Sequence, residues 1–416
     1  MKRPALTNLT NHTIALLAPL LILVSCTNGT DDSPDIDEPP TYNFTRSGDS
    51  TVSFSGQTTR ILMADELFIS MSDFDNATEE SLLEMYRNQT EAGGDTDPFS
   101  DAGLNASDKS IKSKVAASRD LFSSNASLSA EIKNDFETWL SAQVNEVFPN
   151  RNEFADSGQA GQIPDGSGVR YVSGEGLEYN QLVNKSLIGA LMADQMLNNY
   201  LGSAVLDEGT NRQDNDSGQT EEGSAYTTME HKWDEAYGYI YGTSADPANP
   251  NATIGEDDRF LNKYTGQVSE DEDFSSLSGD IYNAFKKGRA AIVAGAYDVR
   301  DDQADIIRES VSKVIAVRGV YYLQAGKNSL SEPSPDYGSA FHSLSEGYGF
   351  IYSLQFTRVP GTDQPYLTHQ EVTDLLDDLL GDGPGGLWDV TPETLDDISD
   401  EIASRFDFTV EQAASN

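Results

Sequence analysis

The chain carries one segment twice. Residues 231–241 read HKWDEAYGYIY and residues 342–352 read HSLSEGYGFIY, so His, Glu, Tyr, Gly, Ile and Tyr coincide and Tyr239 is matched by Phe350. A pattern kept in two copies has to fold the same way in both. Each copy lies where apolar residues recur every three or four positions, the period of an α-helix and not of a strand. The echo predicts two equivalent helices, and with them an internally duplicated body.

The same period runs through almost every apolar stretch after Arg60. Helices are expected over 58–71, 78–90, 107–123, 129–147, 178–201, 225–242, 277–299, 302–326, 336–356, 368–380 and 391–405. Strand-like alternation is confined to Thr51–Ser55 and to a piece around Val169–Val172. The fold class is therefore all-α, a duplicated helical bundle. Two long acidic loops, 203–224 and 243–276, exceed the usual length of a connection. Asp214, Asp216 and Gly218 form only a fragment of a Ca²⁺ loop and read as a turn. Asp194 and Arg318 fall on apolar helix stripes, which predicts that each meets an opposite charge inside the bundle, the other being one candidate.

Charge narrows the function. With 27 Lys and Arg against 69 Asp and Glu, the formal net charge is −42. Phosphate backbones are repelled by such a chain, so no nucleic-acid partner is expected. Carboxylate excess can gather metal cations or simply solvate the surface. The 18 Tyr, 17 Phe and 3 Trp supply ample core material.

The N-terminal segment has an address. Lys2 and Arg3 precede an apolar run from Ile14 to Val24, which ends in Leu23-Val24-Ser25-Cys26. Eleven apolar residues make a signal-peptide core and are too few to span a bilayer. Leu-Val-Ser-Cys matches the bacterial lipobox, whose Cys accepts a lipid, and Cys26 is the chain's only cysteine. Thr27, where inner-membrane retention would use Asp, points to the outer membrane of a Gram-negative cell. The expected organisation is a signal peptide over 1–25, an acidic Pro-rich tether over 26–42, a helical domain over 43–381 and a helical tail over 382–416.

The chemistry lies in the echo. On a helix His231, Glu235 and Gly238 share a face, as do His342, Glu346 and Gly349. If the two faces meet, two imidazoles and two carboxylates converge, a donor set suited to Fe, Zn, Mn or Cu. Asp234 adds a carboxylate to the first copy, where the second has Ser345. A structural polar network between helices explains the same residues, and a catalytic centre is the third reading. No G-x-S-x-G elbow, H-E-x-x-H helix, Walker loop or dinucleotide fingerprint is present.

The blocks STVSFSGQTTRILMADEL, MEHKWDEAYGYIYG and AFHSLSEGYGFIYSLQF resemble the DUF4856 family of exported bacterial lipoproteins, over nearly all of the chain to about Phe356. More distantly, the helical make-up and duplicated His/Glu segment are similar to imelysin-like proteins, whose signature is G-x-H-x-x-E. Here Glu follows His by four positions. That resemblance implies two related bundles and a link to iron uptake, with peptidase activity in some members. The expectation is a cell-envelope lipoprotein that binds a transition metal, Fe or Zn, through His231, Glu235, His342, Glu346 and Asp234. The alternatives are a metal-dependent peptidase and a non-catalytic surface interaction protein.

Overall fold

A computed structural model of the chain describes residues 36–90 and 93–415. The signal segment and the lipidation residue Cys26 lie outside the described residues. The main helices are α1 (Ser55–Ser70), α2 (Glu79–Arg87), α3 (Ala126–Ala142), α4 (Tyr179–Leu187) and α5 (Thr228–Tyr241). They are followed by α6 (Leu261–Glu270), α7 (Leu277–Ala294), α8 (Tyr297–Leu330) and α9 (Tyr337–Ser353). Three more, α10 (His369–Leu380), α11 (Pro392–Ser404) and α12 (Val410–Ala414), complete the chain. The fold is all-α. Its strands form two antiparallel hairpins, Thr45–Arg46 with Asp49–Ser50 and Gly161–Asp165 with Gly168–Val172.

Local chemistry sets the helix starts. Thr227 accepts the Glu230 amide while the Glu230 side chain accepts the Thr227 amide, a capping box that opens α5. Thr368 with Glu371 and Thr409 with Gln412 do the same for α10 and α12. Between α7 and α8, Gly295 takes φ +68°, the left-handed conformation that ends one helix and turns the chain into the next. The long α8 packs against α6, α7, α9, α11 and α12. Residues 392–414 thus lie on the same helix as the second copy of the echo, inside a compact unit that runs from Asp35 to Asn416.

Several expectations are redrawn. Of 107–123, only Arg119–Phe122 is helical, and the rest is a turn-rich segment. The amide of Ala116 goes to the Ala190 carbonyl, and those of Ala117 and Ser118 to Asp194. Tertiary acceptors have taken the amides a helix would have used. The long loops contain a helix over Asn211–Ser217, ended by Gly218 at φ +69°, as well as α6. Thr51–Ser55 is not a strand but the approach to α1. Tyr42, placed at the end of the tether, is core: its ring stacks on Tyr237 at 3.7 Å.

Asp194 is fully buried, and backbone amides rather than a cation meet it. Burial pushes its carboxyl up to about 7, against the lowering pull of those hydrogen bonds. Arg318 is also buried, with its guanidinium over the rings of Tyr321 and Tyr322 at 4.0 and 4.6 Å. The two are not an ion pair.

Candidate functional site

The echo folds as predicted, into α5 and α9, and each copy receives the beginning of another helix. α5 receives α1. His231 Nδ1 lies 3.1 Å from the Ser53 carbonyl oxygen, and Asp234 accepts the Ser53 amide at 3.3 Å. A carbonyl only accepts, so Nδ1 carries a proton and donates it to Ser53. α9 receives α4 in the same way. His342 Nδ1 lies 3.2 Å from Glu178 Oε2, and Ser345 Oγ accepts the Glu178 amide at 2.8 Å. Asp234 and Ser345 occupy matching places and perform one task, holding the amide that starts the incoming helix.

The glycines explain themselves in this frame. A Cβ on Gly238 would stand 2.5 Å from the Phe54 Cβ, and one on Gly349 would stand 2.5 Å from the Lys185 Cβ. Both let the incoming helix approach at near-backbone distance. Two residues after each His, Trp233 packs on Gly288 of α7 and Leu344 on Gly326 of α8. Eleven residues after each His, Thr58 donates to the Gly242 carbonyl and Gly189 donates to Ser353 Oγ.

Charges in the two copies differ. In the first, fully buried Arg289 meets Glu230 at 3.0 Å and Asp234 at 3.1 Å, and Tyr42 donates to Asp234 at 2.7 Å. Burial pushes the Asp234 carboxyl up to about 6, although Arg289 and the hydrogen bonds pull it down. In the second copy Lys185 holds Glu346 at 3.0 Å, and both are nearly inaccessible. Burial would raise Glu346, yet Lys185 and His342 outweigh it and hold the carboxyl at about 2.

Among the described residues the two His/Glu pairs do not come together. α5 packs on α1 and α7, whereas α9 packs on α4 and α8. His231 and Glu235 thus have different neighbours from His342 and Glu346. Asp234 is committed to Arg289, Tyr42 and Ser53. Among the described residues no three His, Cys, Asp or Glu side chains are grouped to hold an Fe, Zn or other ion. Another histidine, His369, bonds Gln355 at the start of α10.

The echo's first face instead opens on a cleft of about 580 Å³, whose lining includes Arg60, Lys109, Lys114, Arg119, His231 and Lys232. Glu208 and Glu235 are the carboxylates in the same lining, so five Lys or Arg face two acids in a chain of net charge −42. Three of the cations are paired: Lys109 with Asp108, Arg119 with Glu208 and Lys232 with Glu235, at 2.6, 2.6 and 2.7 Å. Arg60 and Lys114 form no ion pair among the described residues. Arg60 is 6% exposed and donates to the Ser110 and Gly56 carbonyls. Lys114 lies against the Tyr200 ring, and its ammonium pKa is lowered by burial and by Arg60 beside it. Its charged form is held at a cost that a bound anion would relieve.

Sequence reasoning passed over these cations. A signal existed: Lys109, Lys112, Lys114 and Arg119 cluster within eleven residues of an otherwise acidic chain. The cluster was read only as a helix, and Arg60 stands fifty residues away.

The described residues thus form a mainly helical body with an internal duplication, and a cationic cleft opens beside its first copy. The chain matches the domain of unknown function DUF4856 over residues 39–409, and it belongs to that family. No curated protein and no solved structure matches it.

Proposed function

We propose that this is a cell-envelope lipoprotein, tethered through Cys26 to the outer membrane, whose folded body binds a small anion in the cleft beside His231. One observation carries the reading: buried Arg60 and half-buried Lys114 face a cleft of net positive lining, and among the described residues neither forms an ion pair, Glu235 acting on Lys114 only from a distance. Buried charge without an opposite partner is costly and marks binding sites. In the second copy the corresponding carboxylate, Glu346, is instead paired with the buried Lys185. Among the described residues no helix is long and apolar enough to cross a membrane, so attachment in this reading rests on the lipid.

The metal reading loses its support here. It needed both faces to share an ion, and the first face looks onto cations that repel one. The metal-dependent peptidase reading depends on that same ion. Thermal denaturation of the detergent-solubilised full chain with added inorganic phosphate or sulfate tests the anion reading. The wild type should gain several degrees at millimolar anion, and Lys114→Gln plus Lys232→Gln should lose most of that gain. Equal gains in both proteins would overturn it.

A further inference from the structure

The cleft has more to say about its ligand than its sign. We infer that it takes an anionic polyol, a small molecule bearing one phosphate or carboxylate on a hydroxyl-rich scaffold; this rests on the anion reading above. Arg60 and Lys114 mark the place for the anionic group, since neither has a carboxylate of its own. The opposite requirement stands a few side chains away. Glu235 Oε1 accepts from Gln57 at 3.1 Å and Oε2 from Lys232 at 2.7 Å. The Tyr200 hydroxyl also bonds this carboxylate, whose two oxygens together still have acceptor capacity for a further donor.

Glu235 is ionised at neutral pH: burial would raise its carboxyl, but Lys232 and His231 lower it. A bare polyanion would meet that charge with repulsion. A hydroxyl would meet it with a hydrogen bond. The remaining lining adds uncharged donors and acceptors in Ser53, Ser55, Asn199 and Tyr226. A volume of about 580 Å³ is in the range of sites that enclose a whole organic ligand, roughly 300–1,000 Å³, rather than an isolated oxyanion. The ring of Tyr226, stacked on His231 at 4.5 Å, supplies a rigid flat wall.

The test is calorimetric titration of the detergent-solubilised full chain. The probes are glucose 6-phosphate, mannose 6-phosphate, glycerol 3-phosphate, glucuronate, glucose and inorganic phosphate. At least one phosphorylated or carboxylated polyol should bind tenfold or more tightly than inorganic phosphate, and glucose should bind at least tenfold more weakly than that polyol. Glu235→Gln should shrink the preference over phosphate at least threefold while leaving phosphate affinity equal or higher. Circular dichroism confirms that the variant is folded. If inorganic phosphate matches every polyol, the polyol inference falls and the anion reading stands. If no anion binds, or if Lys114→Gln changes no affinity, the anion reading falls with it.

Discussion

Asp234 shows how one side chain can look like a ligand and be a fastener. It sits beside a histidine, one turn from a second carboxylate, yet its oxygens are taken by Arg289, Tyr42 and Ser53. Removing the cation should be severe, because Asp234 would stay fully buried without it and Glu230 would keep only the half-exposed Arg46. Arg289→Met is expected to cost about 3–5 kcal/mol in urea unfolding. A loss below about 1 kcal/mol would show that the triad is incidental. Asp194 makes a different prediction. Its folded carboxyl titrates at about 7 against an ordinary 3.8, so the folded state holds a proton that the unfolded state has released between those values. Stability from this group is present at low pH and declines as pH rises toward 7, by up to about 1.4 kcal/mol per pH unit. Asp258, also near 7, and Asp234, near 6, act with the same sign. Glu346, held at about 2, acts oppositely, but only below about pH 4.5. Asp194→Asn keeps an acceptor for the Ala117 and Ser118 amides. It should flatten the decline between pH 5 and 7, measured by denaturant midpoint across pH, and an unchanged slope would refute this account of Asp194.

Among the elements, the repeat is a device for docking one helix start onto another helix. Gly238 and Gly349 make the approach close enough. Alanine is the better helix former by about 1 kcal/mol, so Gly→Ala would stabilise an ordinary helix. Here the added Cβ meets Phe54 or Lys185 at 2.5 Å, and the overpacking cost of about 1–3 kcal/mol should win. Thermal unfolding of Gly238→Ala and Gly349→Ala checks this, and a raised Tm in either would contradict the docking geometry. Much of this level was legible in advance. Helix existence followed from period, and the expected ends of α5 and α9 lie within three residues of those observed. The role of the echo was not legible, because its partners α1 and α4 carry no matching motif. The lost helix over 107–118 has the same cause: Ile111, Val115 and Ala116 are buried as a helical stripe would be, but Tyr86 of α2 and Ala190 and Asp194 beyond the end of α4 supply the acceptors. Conversely, α6 was hidden in a polar stretch, where Leu261, Tyr264, Thr265 and Val268 carry the period almost alone.

At the scale of the whole molecule, the acidic chain gathers five Lys or Arg around the cleft beside the first copy, while in the second Lys185 pairs with Glu346. The separation of a His/Glu pair from its twin is a property of topology, which a single sequence does not display. The sign of the cleft is likewise a sum over residues from α1, the 107–119 segment and α5. Anion binding there should weaken with ionic strength, since several of the cations are solvent-accessible.

The most direct measurement is calorimetric titration of the same full-chain sample with Zn²⁺ and, separately, with the tightest anionic polyol found. The polyol should give a saturable heat that Lys114→Gln abolishes, and Zn²⁺ should give none that depends on His231 and His342. A saturable Zn²⁺ heat lost on His231→Ala plus His342→Ala would mean that the two imidazoles share an ion, and would contradict the separation of the two faces.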